Sequence, residues 1–325
     1  MRVLVTGANG FLSGHIIFEL LRRGMTVRAM MRSGAKALAL SGLDIEIAYG
    51  NITDISDVHK AVKGCDVVIH AAADTNQSYR RAEDYFPVNV AATANIIEAV
   101  SAERCKRLIF VSSANTMGFG TLHDPGDETK PISPVFLRSG YAKSKLIAQE
   151  LVREAVAGNR IDAVVVNPTF MIGPVDHNPH SGRIFQMAIN KKFIFYPPGG
   201  KNFVDVRDAA EAIVNAIHQG RSGECYLISG ENLSFREFFR KINMFSAQNA
   251  ILIPVPAFVL KLSGSIGSIL RRLGIRMELT YTNAKLLCVH NYFRNDKAVR
   301  DLGFNCSGID TTIMDYLHWI RTKKR

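Results

Sequence analysis

The chain has no CxxC cysteine pair, no uninterrupted apolar run of bilayer-spanning length, no internal repeat and no low-complexity segment. Each absence removes a class of protein. The five cysteines (Cys65, Cys105, Cys225, Cys288 and Cys306) are odd in number and unpatterned in 325 residues. That argues against a disulfide scaffold and predicts reduced thiols in a cytoplasmic protein. A spanning helix needs roughly 18 consecutive apolar residues. The nearest approach, Ile251 to Leu270, is broken by Pro254, Pro256 and Lys261. Arg2-Val3-Leu4-Val5 already reads as a strand, so no cleavable leader is expected. Acid is also scarce: 29 Asp and Glu face 40 Lys and Arg, a net charge of +11. Apart from Lys323-Lys324-Arg325 the bases look scattered and are not interleaved with aromatics. Nucleic acid is therefore not an expected partner, weak membrane-surface association is a lesser alternative, and a polyanionic small molecule fits.

What is present is the composition of a soluble globular chain, 47% hydrophobic and 21% charged. Through the first two-thirds, short β-branched runs alternate with helix-period stretches, the pattern of an α/β parallel sheet covered on both faces. The apolar runs predict strands at 2–6, 26–31, 45–49, 67–70, 107–112 and 162–166, with helices near 15–23, 55–63, 90–103 and 142–157. Gly24 sits where a glycine would end the first helix. After Asn167-Pro168 the alternation is lost until a helix near 205–218 and a strand at 225–228. The expected organisation is a doubly wound Rossmann sheet over 1–170, with 203–229 returning to it. A smaller, interleaved substrate domain is expected from 171–202 and 230–325.

Three motifs carry chemistry. Thr6-Gly7-Ala8-Asn9-Gly10-Phe11-Leu12-Ser13-Gly14 joins the first strand to the first helix. Glycines there allow a tight turn and let a pyrophosphate reach N–H groups at a helix N-terminus. Ser13 stands where the third glycine is expected. The second strand ends at Met31-Arg32 with no acid to bind a ribose 2′-hydroxyl, so Arg32 favours NADP, with NAD the alternative cofactor. Finally, Tyr141 and Lys145 share a helix face, and an ammonium beside a phenol lowers its pKa for proton exchange. Val111-Ser112-Ser113 lies upstream at a strand's carboxyl end, where a hydroxyl can bind the reacting oxygen.

Together with Asn51-Ile52-Thr53-Asp54, His70-Ala71-Ala72-Ala73, Asn89-Val90, Asn167-Pro168 and Val204-Asp205-Val206-Arg207-Asp208, these motifs resemble the extended short-chain dehydrogenase/reductase family over essentially the whole chain. The narrower likeness, carried by residues 27–32 and 223–233, is to the dihydroflavonol-reductase-like and 3β-hydroxysteroid-dehydrogenase-like group, which includes hopanoid-associated sugar epimerases. The resemblance implies a catalytic Ser113, Tyr141 and Lys145. It places Gly7, Asn9, Gly10, Phe11, Leu12 and Arg32 at the cofactor. It adds Asn51 and Ile52 near the adenine, and Ala71, Ala72 and Ala73 beside the nicotinamide ribose. Asn89, Asn167 and Pro168 complete the implied cofactor set, together with Tyr141 and Lys145. Asn51 departs from the usual Asp. Ala114-Asn115-Thr116 replaces the Asp-Glu pair of the family's sugar dehydratases, which argues against dehydration. A homodimer through the helices at 90–103 and 142–157 is also implied.

Other candidates have plainer readings. His177 and His180 lack a completing ligand for a metal and read as a loop over the substrate. Lys201 reads first as a solvated loop lysine, although it stands where the family's sugar-nucleotide enzymes often carry an arginine near the substrate phosphates. The apolar stretch Phe258–Leu273 reads as substrate-domain core or cleft wall, with a hydrophobic-substrate mouth or membrane-surface contact as the secondary reading. The combined expectation is an NADP-dependent oxidoreductase interconverting a ketone or aldehyde and an alcohol. An NAD-dependent nucleotide-sugar epimerase is the alternative, and a non-catalytic NADP-binding sensor or scaffold is the reading from another class.

Overall fold

The computed structural model describes residues 1–35, 40–76, 79, 81–177, 181–275 and 277–322. Strands β1 (Arg2–Thr6), β2 (Thr26–Met31), β3 (Glu46–Tyr49), β4 (Val67–His70), β5 (Arg107–Val111), β6 (Ala163–Pro168) and β10 (Cys225–Ile228) form one sheet. Its order is β3-β2-β1-β4-β5-β6-β10, every pair parallel. The chain winds outward from β1 to β2 and β3, then back across to β4 and beyond. The crevice over the carboxyl ends of β1 and β4 is therefore the switch point where such sheets bind ligands.

Both faces are covered, which explains the continuous apolar strands. Val3 and Val5 of β1 pack with Ile16, Ile17 and Leu20 of α1 (Phe11–Arg22) and Ile213 and Ile217 of α7 (Val206–Gln219). Leu4, between them, faces the opposite layer: Val58 of α2 (Ile55–Val62), Ile96 and Val100 of α3 (Ala92–Ala102) and Val152 of α5 (Gly140–Ala157). Gly24 follows α1 at φ +73°, the left-handed position a side chain would strain. The expected strands agree to within about two residues. Helix α1 begins at Phe11 rather than His15, because the glycine turn runs straight into it.

Beyond Pro168 the structure holds strands that no period announced. In a second sheet β9 (Gly200–Asp205) pairs with β7 (Phe170–Ile172), β11 (Glu231–Ser234) and β13 (His290–Asn291). A ribbon joins β8 (Phe193–Tyr196) to β12 (Ile251–Pro254). These strands have two to six residues and pair across long stretches of chain, too short to show a period. Residues 206–228 return to the main sheet as α7 and β10. Strand β9, joined to them from residue 203 in the sequence reading, instead lies in the second sheet. Its core is aromatic: Phe203 stacks on Phe238 of α8 (Phe235–Ser246) at 4.2 Å, and Phe185 of α6 (Arg183–Gln186) on Tyr316 of α12 (Ile309–Thr322) at 3.8 Å.

One expectation is corrected here. Residues 258–273 form α9 (Ala257–Arg272) and its C-cap Leu273, but this segment is neither core nor cleft wall, because the helix buries only Gly264 and Gly267. The remaining helices are α4 (Pro134–Leu137), α10 (Tyr281–Leu287) and α11 (Asp296–Leu302). Among the described residues, no helix is long and apolar enough to cross a membrane.

Candidate active site

A cleft of about 1310 Å³ runs over the carboxyl ends of β1, β2 and β4 to the second sheet. That is larger than an ordinary small-ligand pocket and leaves room for a dinucleotide beside a second molecule. At its centre the chain leaves β1 through Gly7, at φ +65°. A Cβ there would lie 2.7 Å from the Ala72 Cα, so only glycine permits these two loops to approach. Gly10 caps α1 without any side chain, and the first turn holds no acid. The N–H groups of that turn are left for an anion. Asn9, Gly10, Phe11 and Leu12 all line the cleft there. Ser13, in place of the third glycine, is buried and small enough for the helix to keep its seat.

A chain of hydrogen bonds behind this turn fixes the next loop. Thr93 donates its hydroxyl to the Asn89 carbonyl (2.8 Å) and so accepts from His70 Nε2 (3.1 Å). His70 Nδ1 then accepts from the Thr6 hydroxyl (2.8 Å), whose oxygen accepts from Ala72 N–H (3.2 Å). This assignment requires a neutral imidazole, and burial duly lowers the His70 pKa to about 3. Asn89 clamps the same loop by exchanging hydrogen bonds with the Asp74 backbone at 2.7 and 3.0 Å, and it donates to Ser144. Ala71, Ala72 and Ala73 line the cleft, whereas Asn89 lies behind them. In the sequence His70 stands only as part of the 70–73 motif, without a role, and nothing singles out Thr93. Only their pairing across 23 residues reveals them.

The two arginines of β2 separate clearly. Arg28 is buried, donating to the Ala61 and Lys63 carbonyls at 2.7 Å and pairing with Glu46 at 2.8 Å. Arg32 is exposed, lines the cleft, and has no carboxylate within ion-pair distance among the described residues. Asn51 and Ile52 line the same end, with Asn51 Oδ1 accepting from Thr53 N–H at 3.1 Å.

At the other end, Ser113 follows β5 while Tyr141 and Lys145 come from the start of α5, whose N-cap Ser139 accepts from Ala142 N–H. All three line the cleft. Burial raises the Tyr141 pKa, and a hydrogen bond with Ser113 opposes it. Lys145 is fully buried, and desolvation lowers its pKa to about 7. Its Nζ donates to the Val111 carbonyl at 2.7 Å and lies 4.4 Å from the Phe110 ring centroid. The expected depression of the phenol by Lys145 is therefore not what this arrangement gives, because the ammonium is turned to the Val111 carbonyl. Asn167 sits beneath Ser113, donating to its carbonyl (3.2 Å), to Thr116 (3.0 Å) and to Gln149 (2.8 Å). It stays off the cleft surface, which Pro168 reaches. Thr116, also buried, is committed to this support.

The facing wall contains Phe170, Met171, Leu279, Leu286, Leu287 and Phe293. Lys201 joins it with Nζ 4.8 Å above the Phe170 ring, and burial lowers its pKa to about 8. No carboxylate pairs with it among the described residues. Arg183 and Glu278, both at the cleft, form an ion pair at 2.8 Å. His177 packs edge-on against Trp319, while His180 and the 323–325 tail lie outside the described residues. Among the described residues no group of three or more His, Cys, Asp or Glu could hold a metal.

Comparison with known proteins agrees with this fold. Residues 3–229 match the family described as the NAD dependent epimerase/dehydratase family. A Synechocystis protein named "Putative dihydroflavonol 4-reductase" is 28% identical, covering 98% of this chain and 94% of its own. Sterol demethylase protein B of Methylococcus capsulatus is 26% identical over 99% of each chain. The crystal structure of gox2253 superposes with a TM-score of 0.86 at 28% identity, covering 100% of this chain and 99% of that one.

Proposed function

The chain belongs to the NAD dependent epimerase/dehydratase family, the extended short-chain NAD(P)-dependent oxidoreductases, and on that premise we propose an NADP-linked reductase. It interconverts a ketone or aldehyde and an alcohol on an apolar skeleton. The observation that carries this reading is the convergence of Ser113, Tyr141 and Lys145 on the cleft that also holds the uncapped start of α1.

The donor set fits a dinucleotide. The first turn of α1 suits the pyrophosphate, Arg32 a 2′-phosphate, Asn51 and Ile52 the adenine, and Ala71 to Ala73 with Lys145 the nicotinamide ribose. The bound nicotinamide supplies or takes up the hydride. Tyr141 O–H gives its proton to the substrate oxygen in reduction and accepts it back in oxidation. Ser113 holds that oxygen by a hydrogen bond, and Asn167 with Thr116 keeps the Ser113 loop in place. Lys145 Nζ, held by the Val111 carbonyl at 2.7 Å, would have to turn from it towards Tyr141 to lend positive charge to the phenol as its proton leaves. The apolar facing wall supports a hydrophobic substrate, in keeping with the flavonol- and sterol-type names of the two relatives.

Replacing Tyr141 by Phe tests the site. Turnover of NADPH against a panel of cyclic ketones is expected to fall by about 10²–10⁴-fold with cofactor binding retained. Turnover within a few fold of the parent contradicts the assignment.

A further inference from the structure

Two stretches, residues 177–204 and 238–277, contain no Asp or Glu. Together they hold ten Lys and Arg, leaving thirty basic against twenty-nine acidic residues for the rest of the chain. Nearly the whole charge of +11 thus falls in these stretches: Lys191 and Lys192 precede the ribbon and Lys261, Arg271 and Arg272 lie on α9, while Arg183 and Lys241 are ion-paired with Glu278 and Asp310.

Helix α9 is amphipathic in the wrong sense for a soluble protein. At about 100° per residue, Phe258, Leu262, Ile266, Ile269 and the C-cap Leu273 share one arc of about 80°. These five are 72%, 62%, 51%, 56% and 74% exposed. The opposite face carries Gly264 and Gly267, and that is the face the helix buries. A Cβ at Gly264 would lie 2.7 Å from the Ala284 Cβ, and one at Gly267 would lie 2.0 Å from the Leu279 carbonyl oxygen. The Ser268 hydroxyl adds a bond on this side, accepting from Tyr281 N–H at 2.9 Å. The glycines thus press α9 onto the 279–284 segment and leave its apolar stripe outside, the reverse of the ordinary arrangement. Lys261 and Arg272 border the stripe. The ribbon leading into α9 repeats the composition: exposed Lys191 and Lys192 precede exposed Phe193 and Phe195, with Ile251 paired to Phe193.

We infer that this face docks on an anionic phospholipid surface, with α9 lying in the interface. An apolar stripe bordered by bases, on a helix that carries no acid, is the chemistry that binds there: side chains enter the acyl boundary while Lys and Arg meet headgroup phosphates. A second copy of the chain would set like charge against like charge, and a nucleic acid would leave the stripe in water. The segment beneath α9 contributes Leu279, Leu286 and Leu287 to the cleft, so docking brings the cleft mouth to the bilayer. The inference stands independently of the proposed reaction.

The test is co-sedimentation of the full chain with phosphatidylcholine vesicles, with and without phosphatidylglycerol. Binding is expected to the mixed vesicles only, weakening as salt rises. Leu262→Ser with Ile266→Ser is expected to lower the partition constant roughly tenfold or more. Lys261→Ser with Arg272→Ser should act on the mixed vesicles alone. Both residue pairs lie off the cleft, so an unchanged melting temperature and unchanged turnover will show that the fold is intact. Absence of binding by the parent protein overturns the inference, as does undiminished binding by the Leu262/Ile266 variant. Equal binding to neutral vesicles overturns the anionic assignment. Self-association in solution that this variant abolishes, without vesicle binding, assigns the face to a second copy instead.

Discussion

On the wall of the cleft proposed for the cofactor, the lining comes from successive strand-to-helix turns around Gly7, Arg32, Asn51 and Ala71 to Ala73. On the wall proposed for the substrate it comes from scattered segments: Phe170 and Met171, Lys201, Leu279, Leu286 and Leu287, and Phe293. The first wall is bound by constraints that act within a few residues. Gly7 must be glycine because Ala72 stands against it, and α1 must begin uncapped if an anion is to sit there. The second wall is bound only by shape and polarity, which many side chains satisfy. A change on the first wall should therefore break folding, binding or chemistry outright, and a change on the second should retune it.

The largest effect expected is at Lys145. Lys145→Met should lower turnover by about 10²–10⁴-fold and at the same time stabilise the fold. The sign follows from linkage: the folded-state pKa is about 7 against an ordinary 10.5. Between those values the unfolded chain binds the proton that the folded chain has released, so stability rises with pH across that window. The penalty of burying the ammonium is complete below about pH 7. Melting curves of the methionine variant should lose the rise and lie above the parent at low pH. A melting profile parallel to the parent's would remove the case for a strained lysine.

Next comes Gly7→Val, whose Cβ would fall 2.7 Å from the Ala72 Cα, well inside contact distance, at a left-handed φ. A loss of about 2–4 kcal/mol in denaturant unfolding is expected, with cofactor binding gone. A variant as stable as the parent would show that the two loops are free to move apart. The smallest effect belongs to the facing wall. Lys201→Met should leave cofactor affinity unchanged and alter KM about tenfold for substrates carrying an anionic group, with little change for neutral ketones. Equal effects on both kinds of substrate would deny Lys201 a role in choosing between them.

The same contrast governs what the sequence discloses. The main sheet was readable because most of its strands carry apolar runs buried on both faces, such as Val3-Leu4-Val5 or Val164-Val165-Val166, the exposed edge strand β3 being the exception. The glycine turn and the Tyr141/Lys145 pair could be singled out because their spacing is set by one turn or one helix, whereas Ser113 was implied by the family resemblance. The support beneath them could not be singled out. Asn167 reaches Ser113 across 54 residues and His70 reaches Thr93 across 23, with no local pattern to announce either. The second sheet was missed for a related reason, since β9 draws partners from three distant segments. Helix α9 misled differently. Its apolar residues were assigned to an interior by their chemistry, while its glycines, the less conspicuous face, decided which side is buried.

The most direct measurement is calorimetric titration of the purified chain with NADPH and NADH, alone and as Arg32→Ala. An exposed Arg32 with no carboxylate partner among the described residues predicts tighter binding of NADPH by roughly ten- to hundredfold, a preference lost in the alanine variant while NADH affinity holds. Preference for NADH, or protein that purifies with NAD already bound, would contradict the NADP-linked reductase and move the chain to the epimerases of its family.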